Sequence, residues 1–314
     1  MTGDTMPEKL PERFHVKVDD HDLELSNLDK VLYPEAGFTK GEVIDYYTRI
    51  APVLMPHLKD RSLTRIRYPN GVAAQGFFEK NKPAGTPRWV RTERLPAHRS
   101  TGGRTEVDYI VVEELATLVW LANLAALELH THQWKVTKRH QVQNPDLLVV
   151  DLDPGPPAGL AQCCEVALLL RDRLAEDGLE AYPKTSGKKG MQLCCPVSGT
   201  QSSEEVSGYA KRVAEELERR HPKLVLSRMA KPLRRNKVFI DWSQNSAAKT
   251  TVTPYSLRAQ AVPSVSTPLT WEEVEEGGFS AEDFTAPVVL ARVEELGDLL
   301  APLCVKGPKL PTKK

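Results

Sequence analysis

Two short apolar segments of this chain each contain aspartate near one end, and this pattern limits the possible folds more than any other feature. The first, LLVVDLDP at 147–154, carries Asp151 and Asp153 just before Pro154 ends the run. The second, KVFIDW at 237–242, carries Asp241 within its apolar pattern. Side chains alternate along a strand, so Asp151 and Asp153 point the same way. The pattern predicts two buried strands with acids at their ends.

Carboxylates in such strands have the chemistry of a divalent-metal site. A buried carboxylate is costly unless it is paired or metal-bound, and its oxygens are hard ligands that suit magnesium or manganese. Asp151, Asp153 and Asp241 would form the cluster that two-metal phosphoryl transfer needs, in which one ion activates a 3′-hydroxyl and the other neutralises a triphosphate. An Asp-x-Asp pair alone is also typical of acids that cap a turn, and that interpretation stays open.

Two further segments contain side chains suited to a nucleotide. In KTSGKKG, at 184–190, glycines let the backbone approach a phosphate, the serine donates a hydrogen bond and lysines add charge. A β-hairpin turn is the structural alternative. Phe77 and Phe78 are adjacent, so strand alternation predicts one in the core and leaves the other free to stack on a base. Core packing of both is the alternative.

Strand and helix patterns interleave along the chain, which predicts an α/β class, here a mixed α+β arrangement. Thr39 and Glu42 have the spacing of a capping box that opens a helix running to about Leu58. A core helix is predicted over 115–129, where apolar residues lie on most sides. We divide the chain into a loose N-terminus at 1–13, one catalytic domain at 14–303 and a Lys-rich tail at 304–314.

Charge is balanced overall but unevenly placed. The chain has 42 Lys and Arg against 42 Asp and Glu, yet residues 219–240 hold eight basic residues and no acid. Residues 80–104 hold seven basic residues against the single Glu93, and acids collect at 272–298. A basic face on a neutral molecule is typical of polyanion binding. Solvated helix faces are the alternative.

The apolar runs and the cysteines bear on the compartment. No apolar run approaches the roughly 20 residues of a membrane-spanning helix, and the N-terminus lacks the apolar core of a secretory signal. The five cysteines are odd in number and include no Cys-x-x-Cys, which supports neither a disulfide framework nor a zinc ribbon. We therefore expect a reduced, cytoplasmic protein with no membrane partner.

The order of the motifs is more informative than any single motif. The blocks are LSNLDKVLYPE, TKGEVIDYY, RYPNGV, GFFEKN, LATLVWLANLAALELH, LLVVDLDPGPPAG, KTSGKKG, KVFIDWSQNSAAKTTVTPYSLRA and VSTPLTWEE. From about Leu25 to Leu300 the chain resembles the polymerase domain of bacterial DNA ligase D, the non-homologous end-joining branch of the archaeo-eukaryotic primase superfamily. The resemblance implies a primase-type catalytic core, with sheets flanked by helices around a central cleft. No ligase or phosphoesterase module is evident, so we expect a stand-alone relative of the kind that actinobacteria carry.

The resemblance also implies roles for matching residues. Asp151, Asp153 and Asp241 would be catalytic ligands of two Mn²⁺ or Mg²⁺ ions. The implied nucleotide contacts are Phe78, which would stack on the incoming base, and His130, Ser186, Lys189, Gln192, Gln244 and Arg258. The implied DNA contacts are Phe77 near the template, Arg234 at the DNA terminus, and Asn27, Lys30 and Lys40 around a 5′-phosphate. The helix start after Thr39 is expected to assist that pocket, because its first amides would lack carbonyl partners.

The implied activity is template-dependent nucleotidyl transfer to a 3′-hydroxyl, with ribonucleotides preferred, at short gaps or ends during DNA repair. The implied partners are nucleoside triphosphates, DNA whose gap or end bears a 5′-phosphate, and Ku or a separate ligase. Two departures bear on this: Gln192 stands where the family usually has histidine, and Ile66 where it often has lysine. They keep open a DNA-end-binding module with impaired catalysis. A metal-dependent nuclease is a third interpretation, although the 186–190 loop favours a triphosphate user.

Overall fold

The computed structural model describes residues 12–97 and 105–312. The strands in these ranges are β1 (Arg13–Val18), β2 (His21–Ser26), β3 (Val31–Tyr33), β4 (Phe38–Thr39), β5 (Ser62–Arg67), β6 (Phe77–Glu79), β7 (Thr92–Pro96), β8 (Glu106–Val111), β9 (Ala126–Thr131), β10 (Leu147–Pro154), β11 (Tyr182–Thr185), β12 (Met191–Pro196), β13 (Val225–Leu226), β14 (Val238–Asp241) and β15 (Thr251–Val252). The helices are α1 (Lys40–Leu58), α2 (Leu115–Asn123), α3 (Leu160–Glu176), α4 (Ser203–Arg220), α5 (Trp271–Glu276) and α6 (Ala286–Leu296). This arrangement confirms the mixed α/β class.

Strand β10 is the centre of a five-stranded sheet with the order β11-β12-β10-β14-β13. All neighbours are antiparallel except β13 and β14, which are parallel. Leu148, Val150 and Leu152 are buried in the main core, and α3 and α4 contact this strand. Because side chains alternate along a strand, Asp151 and Asp153 lie on the opposite face. The sheet therefore buries one face of β10 and presents its acids on the other.

The second sheet has six strands, in the order β15-β9-β5-β8-β7, with β6 also paired to β5. Helix α1 packs against α2, and it begins with the predicted capping box. Glu42 donates its amide to Thr39 Oγ1 (3.3 Å), and Thr39 donates its amide to the Glu42 carboxylate (2.7 Å). The two sheets meet where Lys184 Nζ, on β11, donates to the Val252 carbonyl on β15 (3.1 Å).

The helix predicted over 115–129 is wrong in its second half. Helix α2 ends at Asn123, and Ala125 turns the chain with a φ of +56° before β9 begins. Strand β9 lies between β15 and β5, so it is flanked on both sides. An apolar run buried on all sides has the same composition in a core helix and in a central strand. This ambiguity concealed the alternation of Glu128 and His130.

Some predicted segments lie partly outside the described residues, namely most of the loose N-terminus at 1–13 and Arg99 and Arg104 of the basic stretch. The described part of the Lys-rich tail packs on the domain. Leu310 is buried, and its backbone exchanges hydrogen bonds with the Gln201 side chain. Within the described ranges, the model contains no helix with the length and hydropathy needed to cross a membrane.

Candidate active site

Four polar side chains form one row across the five-stranded sheet. Asp151 is paired directly with Asp241 on β14 and with Gln192 on β12, and Gln192 is paired with Lys184 on β11. Residues directly opposite each other on antiparallel strands share a face, with Cβ atoms about 4.5–5.5 Å apart. Asp153 lies one step along the same face of β10. The sheet register thus brings together the three acids predicted from sequence.

The electrostatics of Asp151 reflect this crowding. Burial raises the pKa of Asp151 to about 6, and the carboxylates of Asp153 and Asp241 act in the same direction. Gln192 opposes the shift by donating from Nε2 to Asp151 Oδ1 over 2.8 Å. Proximity of like charges is the condition that a bound cation relieves. The donor set consists of carboxylate oxygens, which suits magnesium or manganese.

Each of the three acids has its own polar partner. Asp153 accepts from Arg234 Nη1 (3.4 Å), and Asp241 accepts from Lys249 Nζ (2.9 Å). As placed, no three His, Cys, Asp or Glu side chains in residues 12–97 and 105–312 converge to hold a metal ion. The residue types and the register fit a divalent cation, and binding would require these carboxylates to turn from their present partners towards one another.

Gln192 lies beside the acids. Its Oε1 accepts from Lys184 Nζ (2.6 Å), while its Nε2 donates to Asp151. Lys184 is buried. Its ammonium group also donates to Ser266 Oγ and to the Val252 carbonyl. Burial lowers the pKa of Lys184 to about 8. Gln192 therefore joins a buried ammonium to an acid, a link that needs one donor and one acceptor at this position.

The loop at 186–190 connects β11 to β12, and its amides are paired mainly with atoms of the loop itself. The Lys188 and Gly190 amides donate to Ser186 Oγ (3.3 and 3.2 Å), and the Ser186 amide donates to the Gly190 carbonyl (2.9 Å). Gly187 has a φ of +68°, and a Cβ there would lie 2.9 Å from the Val265 backbone. Most loop amides are thus already paired. The loop offers a phosphate the Ser186 hydroxyl hydrogen and the exposed Lys189 ammonium.

Glu128 is a site residue that the sequence analysis missed. It is completely buried on β9 and accepts from His130 Nε2 (3.1 Å) and from the Ala259 amide (3.1 Å). Lys188 Nζ lies 3.2 Å and Arg258 Nε 3.4 Å from its oxygens. Burial alone would raise the pKa of Glu128, but His130 and these two cations outweigh it and lower the pKa to about 2.

Glu128 consequently gathers three groups near the predicted nucleotide side. Arg258 extends this cluster to the loop, since its Nη1 donates to the Ser186 carbonyl (2.8 Å). The pKa of His130 is lowered, and burial of the ring is the largest cause. Gln244, on the turn after Asp241, donates instead to Thr250 and Thr251. Had the sequence pattern been interpreted as a strand at 126–131, Glu128 and His130 would have been predicted on one face, because side chains two apart on a strand point the same way.

The two phenylalanines are both exposed, by 53% for Phe77 and 60% for Phe78, so the prediction that one of them lies in the core is wrong. They lie on the short strand β6, which pairs with β5 and with no other strand of the described ranges. Phe78 is paired with Ile66, which is paired in turn with Glu128. Phe78 therefore shares a face with the Glu128 cluster, and Phe77 lies on the other face beside Arg67.

The residues predicted around a 5′-phosphate lie close together. Lys40 is buried and donates from Nζ to the Ser26 carbonyl (2.5 Å), while the exposed Lys30 lies 3.4 Å from Asn70 Oδ1. Burial, followed by the charge of Lys30, lowers the pKa of Lys40 to about 8. Asn27 has a φ of +53° at the turn before them. Two ammonium groups near enough to repel each other would both gain from a shared anion.

The prediction that the first amides of α1 lack carbonyl partners and assist the 5′-phosphate pocket is wrong. The amides of Lys40 and Gly41 donate to the carbonyls of Lys30 and Leu28 (both 2.8 Å), and the Glu42 amide donates to Thr39. These amides have partners because the chain before the helix folds back over its first turn. These three amides are therefore not available to an anion.

The basic stretch at 219–240 is partly neutralised. Arg220 pairs with Glu216 and Arg228 with Glu218, both acids of α4. Arg234 differs, because its guanidinium lies 4.0 Å from the Phe239 ring centre and reaches Asp153. A Cβ at Gly155 would lie 1.9 Å from the Arg234 carbonyl. Only glycine therefore permits the segment that carries Arg234 to pack this closely against the end of β10.

Comparison with known proteins agrees with this geometry. The family model "LigD, primase-polymerase domain" matches residues 39–300. The chain belongs to the LigD primase-polymerase domain family. This confirms the resemblance found in the sequence and assigns the chain to a family of DNA nucleotidyltransferases associated with non-homologous end joining and DNA repair.

Named relatives extend the comparison. The chain is 44% identical over 286 residues to the multifunctional non-homologous end joining protein LigD of Mycolicibacterium smegmatis, covering 91% of this chain and 36% of that protein. It is 32% identical to the bifunctional LigD of Bacillus subtilis, covering 88% of this chain and 43% of that protein. The chain thus spans less than half the length of these curated relatives.

A solved structure matches in fold. It is the polymerase domain of Mycobacterium tuberculosis ligase D in complex with DNA, with a TM-score of 0.84 and 42% identity. The match covers 90% of this chain and 98% of that one. The primase-type core expected from the sequence is therefore confirmed.

Proposed function

We propose that this chain is a DNA repair polymerase that extends a 3′-hydroxyl on a template by attack on the α-phosphate of a nucleoside triphosphate, with release of pyrophosphate. The observation that carries the proposal is the register pairing of Asp151 with Asp241, beside a loop that presents Ser186 and Lys189. Carboxylates next to a cationic loop suit a reaction in which phosphate charge must be neutralised.

Asp151, Asp153 and Asp241 would hold one or two divalent cations, Mg²⁺ or Mn²⁺. When bound, such ions lower the pKa of the attacking hydroxyl and neutralise charge on the triphosphate. The chain's own residues prepare this arrangement. Gln192 fixes the orientation of Asp151, while Arg234 and Lys249 balance the charge of Asp153 and Asp241 before a cation arrives.

Nucleotide binding is assigned to the loop and the Glu128 cluster. Lys189 and the Ser186 hydroxyl would contact the triphosphate, with Arg258, Gln244 and His130 alongside. Phe78 is exposed on the face that carries Glu128, so it is available to stack on the incoming base. The enzyme would prefer ribonucleotides, as the family resemblance implies.

DNA binding is assigned to a second set of polar, cationic and aromatic side chains. Asn27, Lys30 and Lys40 would hold a 5′-phosphate through side chains, Arg234 would lie at the DNA terminus and Phe77 near the template. Gap filling or end joining in the cytoplasm, with Ku or a separate ligase, is the cellular setting that the family resemblance implies. All five cysteines are free, which supports a reduced environment.

Primer extension on a duplex with a one-nucleotide gap and a 5′-phosphate tests the proposal. Ribonucleotides and deoxyribonucleotides are compared in magnesium and in manganese, with and without a complementary template base. We expect templated addition that requires a divalent metal and is faster with ribonucleotides. Shortening of the primer would identify a nuclease instead.

One observation favours a DNA-end-binding module with impaired catalysis as a second candidate. Gln192 stands where the family usually has histidine, carries no charge, and has both of its amide atoms engaged by Lys184 and Asp151. Binding to the gapped duplex without nucleotide addition in either metal would support that alternative over the polymerase.

A further inference from the structure

A thiol, an imidazole and a carboxylate lie in sequence of contact at the C-terminal end of α1. Cys304 Sγ lies 3.7 Å from His57 Nδ1, and His57 Nε2 lies 2.9 Å from Asp298 Oδ2. The other Asp298 oxygen accepts from the Tyr255 hydroxyl (2.7 Å) and the Leu300 amide (2.9 Å). None of these residues has a role in the proposed polymerase.

The order of contacts suits proton transfer from the thiol. Asp298 is fixed by Tyr255 and accepts the Nε2 proton of His57, which leaves Nδ1 as the acceptor that faces Cys304. Burial acts to lower the pKa of His57, but the hydrogen bonds with Asp298 and Cys304 outweigh it and raise that pKa. An imidazole prepared in this way stabilises a neighbouring thiolate, which is the nucleophilic form of cysteine.

Exposure distinguishes Cys304 from the other thiols. Cys304 is exposed, whereas Cys163, Cys164, Cys194 and Cys195 are buried. Burial raises the pKa of all four, for example to about 11 for Cys164 and Cys194. Buried thiols of raised pKa are unreactive. The protein therefore contains four internal controls for the reactivity of one cysteine.

Space for a small molecule adjoins the thiol on both sides. A cavity of about 660 Å³ is lined by Cys304 together with Met55, Lys59 and Glu113. A second, of about 410 Å³, is lined by Cys304 together with Asn144 and Lys306. Lys135 lines both cavities and pairs with Asp146 (2.8 Å). These volumes are in the range of small-ligand pockets.

We propose that Cys304 is a modification site that forms a mixed disulfide with a low-molecular-weight disulfide. His57 Nδ1 takes the thiol proton, and the Cys304 sulfur attacks one sulfur of the small disulfide. A new S–S bond forms, the original S–S bond breaks, and the leaving thiolate takes the proton from the imidazolium. Cys304 is oxidised and the released thiol is the reduced product, so electrons and atoms balance.

Incubation of the full chain with oxidised glutathione, followed by intact-mass and peptide mass spectrometry, tests the proposal. We expect one adduct per chain, at Cys304, and no adduct in Cys304→Ser. A free thiol with a pKa of about 8.5 is only about 3% thiolate at pH 7. His57→Phe is expected to slow the reaction about five- to tenfold at that pH, with a thermal melt to confirm folding.

A second measurement needs no variant. Alkylation of wild-type Cys304 by iodoacetamide is followed between pH 5.5 and 9 with N-acetylcysteine in the same tube. We expect Cys304 to be alkylated about five- to tenfold faster than the free thiol at pH 7, with the advantage shrinking as pH rises towards 9. A pH profile that coincides with that of N-acetylcysteine would overturn the proposal, as would an adduct rate unaffected by His57→Phe.

Discussion

Asp151 and Asp241 are direct cross-strand neighbours in an antiparallel pair, although 90 residues separate them along the chain. The carboxylate of Asp241 is held by Lys249, while that of Asp151 is held by Gln192. Each acid therefore has one polar partner, and substitution of that partner tests the site without changing the acid itself.

Gln192 gives the first test. Gln192→Leu removes both the hydrogen-bond donor to Asp151 and the acceptor that receives the buried Lys184 ammonium. We therefore expect the free energy of unfolding to fall by about 1–3 kcal/mol. The metal concentration needed for half-maximal extension should rise. Gln192→His keeps one donor and one acceptor and should remain within about threefold of wild type. A metal titration of primer extension, with urea unfolding alongside, measures both; equal behaviour of the two variants would contradict the assigned role.

The lysines of the loop give a matched pair. Lys189 is exposed, whereas Lys188 is partly buried and paired with Glu128. Lys189→Ala should raise KM for nucleotide about tenfold or more with unchanged stability, because a charge-assisted contact is worth about 1.5–3 kcal/mol. Lys188→Ala should lower the unfolding midpoint, because it removes a cation that pairs with the buried Glu128. An unchanged KM in Lys189→Ala would remove Lys189 from the nucleotide site.

Glu128 is predicted to stabilise the fold in a pH-dependent way. Its pKa is about 2 in the folded chain against an ordinary 4.5, so its contribution is fully present above about pH 4.5 and is lost as pH falls towards 2. Glu128→Gln leaves Lys188 and Arg258 without their buried counter-ion and should cost about 3–5 kcal/mol at pH 7. Urea unfolding of both proteins checks this: their difference should shrink below pH 4.5, and a difference independent of pH would contradict it.

Much of the site followed from the sequence because strand alternation is a local property. The acids of 147–154 and 237–242 needed only that alternation to be placed, and the Thr39–Glu42 capping box needed only its spacing. Placing Glu128 required knowledge that α2 ends at Asn123 and that β9 is a central strand, which the apolar run alone does not contain. The occupied amides of Lys40 and Gly41 depend on the fold-back of residues 28–30, a tertiary contact with no local signal.

Phosphate recognition is the fourth test. A 5′-phosphate on the downstream strand should tighten binding by about 1.5–3 kcal/mol, and Lys30→Ala with Lys40→Ala should remove most of that preference and reduce the salt dependence. Lys17→Ala, an exposed lysine on β1, is the control. Fluorescence anisotropy with phosphorylated and unphosphorylated gaps at moderate salt measures it, and equal affinity of the wild type for the two would refute the pocket.

The same pocket should respond to pH. The Lys40 pKa is about 8 in the free chain, and a bound phosphate dianion would raise it. The preference is then complete below about pH 8 and declines as pH rises through the value in the complex. Anisotropy between pH 7 and 9.5 follows this change, and the Lys40→Ala variant should show no such decline.

The most direct test of the central claim is nucleotide addition by Asp241→Ala on a 5′-phosphorylated gap, with manganese or magnesium present. Loss of a metal ligand removes several kcal/mol of transition-state stabilisation, which corresponds to a rate reduction of at least about a hundredfold. DNA affinity should stay within about twofold, and Glu165→Ala, an exposed acid on α3, should behave as wild type. Near-normal extension by Asp241→Ala would contradict the account.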